Sequence, residues 1–277
     1  MEFKQQVLFN KMNSIGELST LEPGRKCMAV SVKEEKIDIS IVIPVSNEAE
    51  NILPLADEIK SVMEREFAQW ECIWVDDGSS DGSLDVLVEL ARADRRHRYI
   101  SFERNAGQSA ALWAGFSESG AAIIATIDSD GQNDPADIPA LFRNVESGAA
   151  DMANGYRAQR QDNLKRKISS IVGNGFRNWL TGRTVRDAGC STRVFRRECI
   201  ESVPHFAGMH RFLPTLAALQ GFKLTEEPVN HRPRLKGRSK YSIGNRLWVS
   251  LLDMFGVFWL KKRAFNYTIK TKSELTD

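Results

Sequence analysis

From residue 37 onward, short runs of β-branched and apolar residues alternate with longer stretches whose apolar positions recur at helical spacing. Ile39-Ser-Ile-Val-Ile-Pro-Val45 reads as a strand, and residues 50–67 place Ile52, Leu55, Ile59, Val62 and Met63 on one helical face. The same reading predicts strands at 71–75, 99–102, 123–127 and 151–155. Helices are predicted at 83–93, 109–117 and 135–145, the last with Pro135 in its first turn. Strands alternating with helices imply an α/β fold with a mostly parallel sheet covered on both faces. The second half is less regular: a helix at 165–180, a strand at 191–196 running into a turn, a helix at 209–220 and a strand at 223–229. A basic loop at 231–240 follows, then a last helix at 243–260 that stops at Lys261-Lys-Arg263. Residues 1–36 show no sustained period and hold Pro23-Gly24, which predicts a loosely ordered extension. With no repeat and no low-complexity linker, the economical division is that extension, one catalytic domain at 37–241, and an amphipathic helix and tail at 242–277.

The loops after the first four strands carry ligand-type residues: Pro44-Val-Ser-Asn-Glu48, Asp76-Asp-Gly-Ser-Ser-Asp-Gly82, Arg104-Asn-Ala-Gly-Gln108 and Asp128-Ser-Asp-Gly-Gln132. In a parallel sheet they lie side by side along the edge where ligands bind. Asp128 and Asp130 follow an apolar run, and two hard carboxylates at such a rim suit Mg²⁺ or Mn²⁺ bridging nucleotide phosphates. The plain alternative is a solvated turn, since Asp-Gly-Gln-Asn-Asp-Pro is good turn chemistry. Four such loops on one edge are harder to explain as solvation. Asp77 and Glu48 can accept hydrogen bonds from a base or ribose. No Gly-x-Gly-x-x-Gly follows the first strand and no Walker-type loop occurs, so those nucleotide signatures are absent.

Composition adds less than charge distribution. The 277 residues are 42% hydrophobic and 27% charged with net charge +2, which is ordinary for a globular protein and names no partner. Basic residues crowd 157–167, 231–240 and 261–263, while carboxylates cluster at 76–81 and 128–137. An acidic centre with basic flanks suits a metal in the middle and phosphates at the edge. Cys27, Cys72, Cys190 and Cys199 form no Cys-x-x-Cys pair and read as free thiols of a reducing compartment. Four scattered histidines argue against zinc. The polar N-terminus does not read as a signal peptide. No stretch reaches the ~18 apolar residues of a membrane span; the nearest, 247–260, carries Asp253.

Those four loop motifs, followed by Arg234-Leu-Lys-Gly-Arg-Ser-Lys-Tyr241, occur in an order that resembles the family-2 glycosyltransferases of the dolichyl-phosphate mannose synthase type, including bacterial undecaprenyl-phosphate sugar transferases. The likeness runs from about residue 37 to 260. It implies a GT-A (Rossmann-like) nucleotide-sugar-binding fold, a divalent metal (Mg²⁺ or Mn²⁺), and inverting transfer of a sugar to a polyprenyl (undecaprenyl) phosphate. By position it implies that Asp77 holds the nucleoside, with Glu48 and the Pro44 loop on the donor side. Asp128, Asp130 and Gln132 match the metal and diphosphate motif. Arg157, Arg166 and Ser170 match the positions that hold the lipid phosphate, and Arg234, Ser239 and Lys240 the loop that closes on the donor phosphates. The chain departs from the family in having Ser46 where Tyr is frequent, and in lacking the paired C-terminal spans of some members, which leaves a peripheral protein at the cytoplasmic membrane face as the expectation.

The chemistry agrees with this placement. Arginine pairs with phosphate through a planar fork and lysine acts as a point charge. A phosphate monoester with a second pKa near ~6 is ionised at neutral pH and needs no strong general base. The main rival is a GT-A enzyme with a hydroxyl acceptor, which needs a carboxylate base; Asp187 is the candidate, and Asp187 and His210-Arg211 are further residues that can face the site or serve structure. A nucleotide-sugar-binding protein without turnover is the second rival. A nucleic-acid patch at 234–240 is disfavoured by sparse aromatics. The last helix, with Leu247, Trp248, Leu251, Leu252, Phe255, Phe258 and Trp259 ahead of Lys261-Lys-Arg263, reads as an interfacial element. A core-docking helix and a homo-oligomer interface are its alternatives.

Overall fold

The structure, a computed structural model, describes residues 36–158, 185–233 and 243–263. Its centre is the strand Ile39–Val45 (β1), flanked by Trp70–Asp76 (β2) and Ile123–Thr126 (β4), both parallel to it. His97–Ser101 (β3) adds parallel to β2 at one margin. On the other side Arg193–Arg196 (β6) pairs antiparallel with β4 and with Met152–Arg157 (β5), and Leu224–Val229 (β7) closes the sheet parallel to β5. The order is β3-β2-β1-β4-β6-β5-β7, a mostly parallel sheet with one reversed strand.

Both faces of β1 are buried, which is why its sequence is a continuous apolar run rather than an alternation. Ile41 and Ile43 face a cluster with Ile52 and Ile59 of helix Ala49–Glu66 (α1), Leu87 of Ser83–Ala93 (α2), and Leu141 of Ile138–Glu146 (α4). Val42 points the other way, to Leu112 of Gln108–Glu118 (α3), Ile200 of Arg197–Glu201 (α5), Leu216 of Leu213–Leu219 (α6), and Val257 of Ile243–Arg263 (α7). At the β2–β3 margin Trp74 donates its indole N–H to His97 Nδ1 at 3.1 Å.

Several expectations are adjusted. The helix expected at 135–145 opens as a 3₁₀ turn, Pro135–Asp137, because the Asp134 side chain accepts from Ala136 N. The helix expected at 209–220 breaks into a 3₁₀ turn, Met209–Arg211, and α6. Pro214 has no N–H to return to the His210 carbonyl, and Arg193 Nη1 donates to that carbonyl instead at 2.7 Å. The segment read as a turn after β6 is helix α5. The expected N-terminal extension at 1–35 and the expected helix at 165–180 lie outside the described residues.

Helix α7 docks and exposes at once. Met254 and Val257 are buried in the second core cluster, with Phe258 and Leu260 packed against it. Phe258, expected in the interfacial set, thus turns toward the core. Leu252, Phe255 and Trp259 stay 70%, 54% and 59% exposed, one helical face apart from the docked one, and Lys261, Lys262 and Arg263 after them are exposed. Among the described residues no helix is long and apolar enough to cross a membrane.

Candidate active site

Parallel β1 to β4 end on one edge, so the loops that follow them adjoin there. Reversed β6 starts at that same edge, with Thr126 opposite Arg193, and brings the 187–192 segment beside the end of β4. Between these loops lies a cleft of about 780 Å³. Pro44, Glu48, Asp77, Asp128 and Asp130 line it, together with Asn105, Gln108, Ser191, Arg193, His210 and Arg211. A smaller cavity of about 320 Å³, beside Asp38 and Phe142, lies by the start of β1 and is remote from this edge.

The walls under β1 to β3 are laced together. Asn47 takes the left-handed conformation (φ 49°), which asparagine tolerates, and its Oδ1 accepts from Ser80 N at 2.6 Å. Its own N–H donates to Ser79 Oγ at 2.8 Å. The buried Asp77 carboxylate accepts from the backbone of Ala106 (2.6 Å) and Gly107 (3.0 and 3.1 Å) and from Asn105 Nδ2 (2.8 Å). Asp77 therefore shapes the 104–108 loop while lining the cleft. Gly78 is required between them: its φ is +66°, and a Cβ would sit 2.6 Å from the backbone carbon of Arg104. Glu48 Oε2 accepts from Asn51 Nδ2 at 2.6 Å at the start of α1.

Asp128 and Asp130 face the middle of the cleft. Asp128 Oδ1 accepts from Gln108 Nε2 at 2.9 Å, and its backbone N–H is held by Asn133 Oδ1 at 3.1 Å. Asn133 is buried and reaches on to Thr192 Oγ1 (2.7 Å) and Ser191 Oγ (3.1 Å). Burial, and then the neighbouring charge of Asp130, push the Asp128 carboxyl up to about 6, against the pull of Ser191, Arg193 and Arg157. A buried carboxylate set beside a second carboxylate is one that a cation would relieve. Among the described residues no three His, Cys, Asp or Glu side chains gather to hold a metal alone. Two carboxylates with the remaining positions left to phosphate oxygens and water is the arrangement Mg²⁺ takes with nucleotides. Gln132 braces this loop from beside the cleft, donating from its amide to the Arg232 carbonyl (3.2 Å), and its N–H donates to Asp130 Oδ1 (3.1 Å).

The other wall is cationic. Arg157, at the end of β5, grips Asp187 through Nε (2.7 Å) and Nη2 (2.9 Å). Arg193 is buried and donates to Asn154 Oδ1, the His210 carbonyl and the Ala188 carbonyl at 2.7–2.9 Å. Ser109 Oγ lies 2.7 Å from His210 Nδ1 and accepts from Gly208 N at 3.0 Å, tying the 208–211 turn to the start of α3. Arg232 pairs with Glu58 (2.7 Å) and Asp134 (2.8 Å), and His231 bridges Asn133, so the basic segment starts against the aspartate loop.

Of the expected site residues, the structure gathers Pro44, Glu48, Asp77, Asp128 and Asp130 in one cleft, with Gln132 and Arg157 beside it. Arg166, Ser170, Arg234, Ser239 and Lys240 lie outside the described residues. The contacts unforeseen from sequence are those of Arg193 and Asn133, both inside segments read for their backbone alone, and the bond from Gln108 to Asp128.

The sequence profile described as Glycosyl transferase family 2 matches residues 40–203. The chain is 34% identical over 251 residues to the dodecaprenyl-phosphate galacturonate synthase of Rhizobium johnstonii, covering 89% of this chain and 73% of that relative. It is 38% identical over 215 residues to an undecaprenyl-phosphate 4-deoxy-4-formamido-L-arabinose transferase of Yersinia pestis, covering 77% of this chain and 65% of the relative. Among solved structures, glucosyl-3-phosphoglycerate synthase of Mycobacterium tuberculosis, in complex with Mn²⁺, uridine diphosphate and glucosyl-3-phosphoglycerate, superposes with a TM-score of 0.62 over 90% of this chain and 88% of that one, at 18% identity. That last likeness is one of fold.

Proposed function

The chain belongs to glycosyl transferase family 2 and has the GT-A fold, and from that premise we propose that it moves a sugar from a nucleotide-sugar donor to the phosphate of a polyprenyl lipid, inverting the anomeric carbon and using a divalent cation. The observation that carries this reading is the asymmetry of the cleft. Acid groups line its donor half and centre, while the 188–211 wall supplies Arg193, His210 and Arg211 and, among the described lining residues, no carboxylate. Such a wall receives an anion. The nearest candidate base, Asp187, is engaged by both nitrogens of the Arg157 fork, which counts against a hydroxyl acceptor. The names of the two relatives support the same acceptor class.

In this scheme Asp77 and the 104–108 loop form the floor under the nucleoside. Gln108 and Asn133 hold Asp128 in position, and Asp130 stands beside it. When bound there, Mg²⁺ or Mn²⁺ would offset the charge that develops on the leaving diphosphate. The acceptor phosphate arrives ionised, so the chain needs to orient it rather than deprotonate it. Arg157, together with Arg166 and Ser170, is proposed for that task, and Arg234, Ser239 and Lys240 for the diphosphate. A single in-line displacement gives inversion. The outward face of α7 is proposed to lie on an anionic membrane, with Leu252, Phe255 and Trp259 at the acyl boundary and Lys261 to Arg263 against headgroups, which makes the protein peripheral at the cytoplasmic face.

A donor panel offered to undecaprenyl phosphate and to undecaprenol, with Mg²⁺, Mn²⁺ or chelator, tests the reading by mass spectrometry of the lipid. Metal-dependent glycosylation of the phosphate alone is expected. Transfer to hydroxyl acceptors without transfer to the phosphate would overturn it. Flotation with anionic liposomes tests the membrane face: wild type is expected to float and F255E/W259E to stay in the soluble fraction, while equal recovery removes that role from α7.

A further inference from the structure

Arg211 reaches the cleft from the turn before α6, and its Nη2 donates to Asp253 Oδ2 of α7 at 3.2 Å. The arginine side chain is 37% exposed and the aspartate 16% exposed, so the pair presents the guanidinium toward the cleft and keeps the carboxylate behind it. The contact is built for. Gly208 has φ +94°, and a Cβ there would lie 2.6 Å from Asp253 Oδ2 and 3.0 Å from Arg211 Nη2. The left-handed φ favours glycine there, and the missing Cβ leaves the space in which the two side-chain ends meet. Asp253 is also the acidic residue within a helix whose next turn offers Phe255 and Trp259 to the outside.

Resting on the proposed acceptor, we infer that Arg211 is a ligand of the lipid phosphate and that Asp253 is the residue that positions it. The polyprenyl chain must leave the cleft toward an apolar surface, and α7, which meets this wall through Asp253, presents one in Leu252, Phe255 and Trp259. One helix then performs two tasks. Its outer residues meet the lipid bilayer, and Asp253 on its inner side aims the cation that receives the headgroup. Arg193 is less suited, since its guanidinium already serves three acceptors of the protein. A phosphate replacing part of the Asp253 contact would gain a charge-assisted bond from a side chain already oriented.

The test is equilibrium binding of farnesyl phosphate and of farnesol to the full chain in detergent, for wild type, R211Q, R211K and D253N, with Mn²⁺ and a nucleoside diphosphate (UDP or GDP, whichever wild type binds) as the donor-side readout. R211Q is expected to weaken farnesyl phosphate by about tenfold or more, the scale of one lost charge-assisted bond. R211K, which keeps the charge without the fork, and D253N, which keeps the fork without its guide, are expected to fall between. Farnesol and nucleotide binding should stay within about twofold of wild type in all of them. Unchanged farnesyl phosphate binding in R211Q overturns the inference, and so does an equal loss of nucleotide binding, which would put Arg211 on the leaving-group side. Should R211Q unfold, R211K and D253N decide by the same criteria. If wild type binds nucleotide but not farnesyl phosphate, it is the acceptor class that fails, and this inference fails with it.

Discussion

His97 offers a test of the fold that needs no substrate. It opens β3 at the sheet end away from the cleft, is 2% exposed, and sits against Trp70 and Trp74. An indole N–H can only donate. At 3.1 Å from Trp74 Nε1, His97 Nδ1 must therefore accept, which leaves the ring neutral with its proton on Nε2. Protonation would set one N–H against another. Burial, aided by Arg96 and Lys60 and opposed by Asp94, brings the imidazole down from 6.5 to about 4. The unfolded chain thus takes up this proton more readily than the folded one. The stability contributed by neutral His97 is whole above pH 6.5 and drains away as the pH falls toward 4. At 1.36 kcal/mol per pH unit the full loss is about 3 kcal/mol, of which about 2 kcal/mol is gone by about pH 5. Asp94, held down at about 2 by Arg96, adds its loss in a separate window below pH 3.8. His97→Gln is the informative change, because its amide oxygen can accept from Trp74 yet does not titrate. It should cost about 1 kcal/mol at about pH 7.5 through the lost edge contact with Trp70. Urea denaturation at about pH 7.5 and about pH 5 should then show wild type losing about 2 kcal/mol more than the variant. A stability difference between the two proteins that stays constant across that range would refute the reasoning.

Two substitutions probe the cleft. Asp130→Asn removes half of the acid pair from a partly exposed position, so kcat should fall by about 10²–10³-fold while thermal stability barely moves; near-wild-type turnover at saturating Mg²⁺ or Mn²⁺ would remove Asp130 from the metal site. Asp187→Asn leaves Arg157 without its counter-charge in a partly buried setting, so denaturation should show a loss of about 3 kcal/mol and the KM for lipid phosphate should change. A fully stable variant that has instead lost the acidic limb of its kcat profile would identify Asp187 as a general base and restore the hydroxyl-acceptor reading.

What could be read along the chain was whatever depends on neighbours in sequence. The β1 run declared itself because both of its faces are buried, and the ligand-bearing loops followed because parallel strands must end together. Asp128 and Asp130 stood out through their place after an apolar run. Pairings between distant residues were not legible. Nothing in Arg157 announces Asp187, thirty positions away, as the group that occupies its fork. Arg193 begins a strand, where a cation suggests an exposed edge, yet it is buried, its guanidinium held by Asn154, Ala188 and the His210 carbonyl that Pro214 leaves open. The reversal of β6 was equally hidden, since a four-residue strand carries no mark of its direction. Phe258 had the composition of a surface anchor, and only the docking of Met254 and Val257 shows that it turns inward.

The reversal has a functional consequence. Four parallel strands place four loops at one edge, and those loops, tied through Asn47 and Asp77, form a self-supporting half of the cleft. β5 runs the same way and ends at that edge too, on the far side of β6. Reversed β6 begins there, so the 187–192 segment enters the site directly ahead of it, bringing Ser191 and Arg193 against Asp128. Asp128 stands where the two constructions meet: Gln108 holds it from the first half, and Asn133, itself fastened to Ser191 and Thr192, holds its backbone from the second. The wall proposed for the acceptor can therefore change its charge without disturbing the loops proposed to lie under the nucleotide. A carboxylate on the 188–211 wall would suit a hydroxyl; this chain places arginines there, and the chemistry they favour is capture of an acceptor that is already an anion.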